Sequence, residues 1–101
     1  MELTIEHAAG SGRSVARTTD GRTAGHLSYR AARDSDSPIW TVYSTVVDPS
    51  FGGRGVGSAL VADLMAEASD RAVVVVPTCW FVAGWLDRHP EYAHLRADDG
   101  H

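Results

Sequence analysis

Lysine is absent from this chain. Every basic side chain other than histidine is an arginine, nine against thirteen acids, and the formal net charge is −4. That acidic balance argues against nonspecific binding to nucleic acid or to anionic membranes. With no side-chain amine, only the N-terminus could be acylated on the chain itself. Cys79 is the single cysteine, which rules out an internal disulfide and suits a reducing compartment. Long apolar runs are missing too: "AVVVV" (72–76) falls far short of the roughly 20 residues that span a bilayer. The opening "MELTIEH" carries Glu2 and Glu6 and no basic segment, so a secretory leader is not expected and the cytoplasm is the default location. Metal-ligand spacings are lacking as well. His89 and His94 share "HPEYAH", but Pro90 breaks any helix that would align them, and no metal is expected.

What is present describes one soluble domain over residues 1–101, with 44% hydrophobic and 22% charged residues. Alternation dominates the first half. Leu3 and Ile5 oppose Glu2, Thr4 and Glu6, the pattern of a half-buried strand. In "SVARTTDGRTAGHLSYR" (14–30) the turn dipeptide Asp20-Gly21 separates two strand-like runs, predicting an antiparallel hairpin. "PIWTVYSTVV" (38–47), rich in β-branched and aromatic residues, predicts a further long strand. Tyr43 is expected in the core, and His7 and His26 in structural strand positions. Loose segments are expected at 11–12, in "RDSDSP" (33–38) and in the tail 96–101.

The period then changes. Val56, Leu60, Val61, Leu64, Met65 and Ala68 trace one helical face. "VVVV" (73–76) shows no alternation and suggests a parallel strand buried on both faces. Thr78 is a candidate N-cap for a second helix over "CWFVAGWLDR" (79–88), with Phe81, Val82, Trp85 and Leu86 inward and Trp80 nearer a pocket or the surface. His89 is expected at the helix end, with Tyr92 pinning the tail. The fold class is α+β: a mixed sheet of about five strands, antiparallel first and closing on a parallel pair, with two helices.

Between the long strand and the first helix lie Gly52, Gly53, Gly55 and Gly57. Glycine gives up the most backbone freedom on folding, so this cluster is costly. At a helix N-terminus it offers bare main-chain N–H groups to a phosphate or pyrophosphate. A Walker-type nucleotide loop requires lysine and is excluded. A dinucleotide loop wants a third glycine where Leu60 stands and an acid after the next strand, where Pro77 and Thr78 stand. The pyrophosphate of coenzyme A is the third ligand of this kind.

"VVDPSFGGRGVGSAL" (46–60) resembles the coenzyme A loop of the GNAT N-acetyltransferase superfamily, with Gly55 and Gly57 at its two small-residue positions. "VPTCWFVAGWLDRHPEYAHL" (76–95) resembles the last third of a small single-domain GNAT-like branch of about a hundred residues. The resemblance covers about 38–95 and implies an acetyl-CoA-dependent N-acetyltransferase acting on an unidentified amine. The alternative is a noncatalytic acyl-CoA-binding module, a sensor or adaptor. The coenzyme is expected on Gly52, Gly53, Arg54, Gly55, Val56, Gly57 and Ser58, and on the main chain at Val46 and Val47. Because the loop is expected at the surface, substituting Gly55 or Gly57 should weaken binding and spare the fold.

Two departures from the family pattern stand out. Gly52 replaces the usual Arg or Gln, a loss that Arg54 partly offsets. Ser44-Thr45 replaces the branch's His-Thr pair, which weakens the case for catalysis relative to binding. The catalytic candidates are Cys79 and Ser44. Cys79 could accept the acyl group, donate a hydrogen bond to the leaving sulfur, or merely line the pocket. Ser44 could orient a water or be a bystander. Only about six residues (8–13) separate the first two predicted strands, where larger relatives insert helices. The acceptor side should therefore be open, and a homodimer could supply the missing wall.

Overall fold

The computed structural model describes residues 2–8, 11–34 and 37–97. Strands β1 (Leu3–Ala8), β2 (Arg13–Thr18), β3 (Thr23–Asp34), β4 (Ser37–Val47) and β5 (Val74–Pro77) form one sheet in the order β1-β2-β3-β4-β5. The first four pair antiparallel with their sequence neighbours, and β5 joins β4 in parallel. Helix α1 (Val56–Asp70) makes the crossover between β4 and β5, and α2 (Trp80–Asp87) follows β5. Among the described residues no helix is long and apolar enough to cross a membrane.

The β2–β3 hairpin turns at Asp20-Gly21, where Gly21 takes a φ of 90° and donates its N–H to the Thr18 carbonyl at 3.0 Å. The apolar stripe of α1 is buried over its whole length, from Val56 through Ala68. It packs with Ala16, Leu27, Tyr29, Trp40 and Val42 of the sheet and with Val82, Trp85 and Leu86 of α2 in one core cluster. Both helices thus lie on the same face. Among the described residues no helix covers the opposite face of the sheet.

That one-sided cover changes how β5 reads. Val75 and Pro77 are buried while Val74 and Val76 are only half-buried, so the valine run is not covered on both faces. Three other expectations give way. "RDSDSP" is mostly strand, because β3 and β4 pair as far as Asp34 and Ser37; residues 35–36 lie outside the described residues. The tail is held at its start, where Ala97 donates to the Val75 carbonyl at 2.8 Å and Arg96 bridges to Val75; residues 98–101 lie outside the described residues. Tyr43 is no core residue: it is 50% exposed, with the Arg30 guanidinium 5.6 Å from its ring centroid.

Tyr43 leaves the core because it is an insertion in the strand. Across β3 and β4, Ser28 faces Ser44 but Tyr29 faces Val42, so Tyr43 has no opposite number and forms a β-bulge. The last parallel pair with β5 is Val42 with Pro77. From Tyr43 to Val47, β4 keeps β3 on one side and has no strand on the other. A gap opens there between the two parallel strands.

Candidate functional site

A cleft of about 410 Å³ opens on the helical side of this gap. Its walls are Thr45 and Val47 of β4, Phe51, Gly52, Gly53, Gly55, Val56, Gly57 and Ser58 of the loop and first turn of α1, and Cys79, Trp80 and Phe81 at the start of α2. The chain reaches it through a single turn of 3-10 helix at Pro49–Phe51. Asp48 caps that turn by accepting from the Ser50 N–H at 2.9 Å. This hydrogen bond holds the Asp48 carboxyl below its ordinary range.

The loop supplies donors without acceptors. Gly55 caps α1 in the left-handed region at φ 77°, with no side chain to bond the first turn. The first helical bond runs from Ala59 to the Gly55 carbonyl at 2.9 Å. Among the described residues, no carbonyl or side chain accepts from the main-chain N–H groups of residues 53 to 58. A helix N-terminus with open amides attracts an anion through both its hydrogen-bonding capacity and its dipole.

Gly57 differs from the other loop glycines. It is buried, and a Cβ placed on it would lie 2.9 Å from Cζ and 3.1 Å from Cε2 of Phe81. The expectation of a surface position therefore fails for Gly57, because α2 packs its first turn directly onto that of α1. Gly52, Gly53, Arg54 and Gly55 are exposed, and the Arg54 side chain is not part of the cleft wall.

At the far end Cys79 is the N-cap of α2, the position expected of Thr78. The Thr78 hydroxyl donates instead to the Val42 carbonyl at 3.2 Å, and the N–H groups of Thr78 and Cys79 reach the same oxygen, each at 3.1 Å. These bonds tie off the parallel pair where the gap begins. The Cys79 thiol points across the gap to the Thr45 hydroxyl, 3.8 Å away. Trp80 stands beside it, 84% exposed, edge-on to Phe81.

The structure brings Cys79, Val47 and most of the glycine loop together, and it separates Ser44 and the Val46 side chain from them. Thr45 pairs with the buried Leu27 and faces the cleft; Ser44 pairs with Ser28 and Val46 with His26 on the bare face. Sequence reasoning missed Thr45 as a site residue, although simple alternation from Val47, two positions on, would have marked it. His7 bonds the Tyr29 hydroxyl, and burial raises that hydroxyl's pKa. His89 stacks on Trp85 at 3.7 Å and bonds its carbonyl at 2.7 Å, so both histidines have structural partners. Trp85 is buried and Tyr92 tilts against it, 5.8 Å between centroids.

Comparison with known proteins agrees with this architecture. A GCN5-like protein of Staphylococcus aureus superposes with a TM-score of 0.70 at 18% identity, covering 98% of this chain and 92% of that one. Glucosamine-6-phosphate N-acetyltransferase from Arabidopsis thaliana gives 0.59 at 21% identity, over 69% of this chain and 52% of that one. An aminoglycoside acetyltransferase from an uncultured soil metagenomic sample, in complex with sisomicin, gives 0.60 at 19% identity, over 81% and 53%. The chain thus spans about half the length of these two enzymes, and at such identities the likeness is one of fold. No curated protein sequence matches. The family model for GCN5-related N-acetyltransferases matches residues 13–95, a span holding β2 through α2 and the whole cleft, and the chain belongs to that family.

Proposed function

We propose that the protein binds acetyl-CoA in this cleft and transfers the acetyl group to an amine. The observation that carries the reading is the run of unpartnered N–H groups at 53–58, lining a cleft that continues to the strand gap at Cys79. A pyrophosphate is the ligand group such a nest of amides suits best. The pantetheine arm would lie along β4, where the main-chain groups of Val47 face the gap side with no strand partner while those of Val46 are turned to His26 of β3. Acetyl-CoA supplies the activated acetyl group. Acyl transfer then needs a neutral amine, and a proton for the sulfur that leaves as the C–S bond breaks. The Cys79 thiol and Thr45 hydroxyl are polar side chains on the cleft side of the gap that can hydrogen-bond there.

One observation favours the noncatalytic reading, an acyl-CoA-binding sensor or adaptor. Among the described residues the cleft wall holds no carboxylate and no histidine, so none stands ready there as a base. Thermal unfolding with about 1 mM acetyl-CoA, coenzyme A or ATP tests the binding. At a hundredfold excess over Kd, linkage stabilises by about 2.7 kcal/mol, a rise of roughly 10–20 °C in a domain of this size. A rise with acetyl-CoA and coenzyme A, and none with ATP, is expected; no rise with any of them ends this reading. Acetylation of an amine panel then separates enzyme from binding module. Loss of turnover in Cys79→Ala with acetyl-CoA binding intact is the result expected of a catalytic thiol.

A further inference from the structure

The bare face of the sheet has a chemistry of its own beside the gap. The register sets Arg13, Ser28 and Ser44 side by side across β2, β3 and β4. His26 and Val46 form the next row on one side, and Arg30 with Thr41 the row on the other. Ser44 and Tyr43 follow directly on Val42, the last residue paired to β5. Ser44 and Tyr43 border the gap on the face away from the cleft, and the β3 and β2 side chains lie one and two strands in from it.

On the helical side and its connections Asp63, Glu67, Asp70, Asp87 and Glu91 stand among Arg54, Arg71, Arg88 and Arg96, with Arg71 bridged to Glu67 at 2.6 Å and Arg96 to Asp87 at 2.7 Å. On the bare face Glu6 is tied to Arg17 at 3.0 Å. Arg13 and Arg30 are exposed there, and among the described residues no carboxylate lies within ion-pair distance of either. The Arg30 guanidinium sits over Tyr43 at the mouth of the gap. Arg13 acts on His26, whose pKa is lowered first by burial and then by that charge. Arg13 lies one strand from Ser28, and Arg30 two residues along from it. Strand spacing and rise put their backbones roughly 8 Å apart, close enough for both guanidinium forks to meet one anion.

We infer that this face is the acceptor side of the site, and that the acceptor is a small primary amine bearing one phosphate or carboxylate group. Arg13 and Arg30 hold the anion while the amine reaches the gap beside Ser44. In a chain of net charge −4, an anion is drawn to a surface where two such cations stand together. The acyl-transfer part rests on the function proposed above; capture of the anion does not.

The test therefore reads the two apart. Phosphoethanolamine, 4-aminobutyrate, ethanolamine and putrescine are titrated into the protein without acetyl-CoA while backbone amide NMR shifts are followed. Saturable shifts around residues 13, 26–30 and 43–44 are expected for the two anionic amines only. Arg13→Gln/Arg30→Gln should abolish them, and Arg13→Lys/Arg30→Lys should retain them in part. With acetyl-CoA, product analysis should show kcat/KM at least tenfold higher for an anionic amine than for its neutral counterpart. The Gln pair should erase that preference without changing the acetyl-CoA thermal shift. Equal shifts from ethanolamine or putrescine, or shifts that survive the Gln pair, overturn the inference. So does capture of an acidic peptide and of no small amine. Arginine-dependent anion binding without acetylation ends the transferase reading and supports the anion site.

Discussion

Gly55 and Gly57 stand two positions apart and are needed for different reasons. Gly55 takes a φ of 77° with nothing within 4 Å of where a Cβ would be, so its demand is conformational. A side chain forced into that region costs about 1–2 kcal/mol. Gly55→Ala should therefore lower the melting temperature by roughly 4–15 °C and loosen the amide nest. Gly57 has ordinary helical backbone and no room. A methyl group there meets the Phe81 ring and must push it into the cleft. Gly57→Ala should weaken coenzyme A binding tenfold or more, and Gly57→Ala/Phe81→Leu should recover much of it. Titration of each variant, followed by thermal shift, checks both; wild-type affinity in Gly57→Ala would detach Phe81 from the site. The glycines themselves were legible in the sequence. Which was strained and which was crowded was not, since Phe81 comes from a different helix.

Each helix owes its place to a stripe that the sequence displays openly. Apolar spacing marks α1 from Val56 to Ala68, and the whole stripe is buried. In α2 three of the four expected inward residues, Val82, Trp85 and Leu86, are buried, while Phe81 is half-buried and lines the cleft. Trp85 also anchors the segment beyond α2: His89 lies flat against it at 3.7 Å, and Tyr92 packs at 5.8 Å. Trp85→Ala should cost about 3–5 kcal/mol, lowering the denaturant midpoint. Limited proteolysis should then show early cutting near residues 88–96, and a variant with wild-type resistance there would contradict the anchoring. Strand β4 was legible as a strand but not as a bent one. Its bulge at Tyr43 arises from pairing with β3, and nothing in "TVYSTVV" announces a skipped partner. That single insertion exposes Tyr43 and frees β4 from β5 just where the cleft and the gap meet.

At the scale of the whole molecule, α1 and α2 cover one face of one sheet, and the cleft opens where its parallel strands part. Protection from hydrogen exchange should track that plan. The slowest amides are expected in β3 and in β4 up to Val42, paired on both sides, with faster exchange in the edge strand β1. Amides of 53–58, lacking acceptors, should exchange quickly and slow markedly when acetyl-CoA is added. Protection confined instead to β1 and β2 would move the site elsewhere. By itself the sequence determined the element order, the hairpin at Asp20-Gly21, the helical stripes and a glycine-rich loop at a helix start. Those features are local: each arises from the spacing of side chains within one short segment. Only the tertiary structure decided that Thr45 rather than Ser44 faces the cleft, that Gly57 lies under Phe81, and that Arg13 and Arg30 share a face with no helix over it. Those facts depend on which segments become neighbours, and strand register and helix packing settle that between parts of the chain that cannot read one another in sequence.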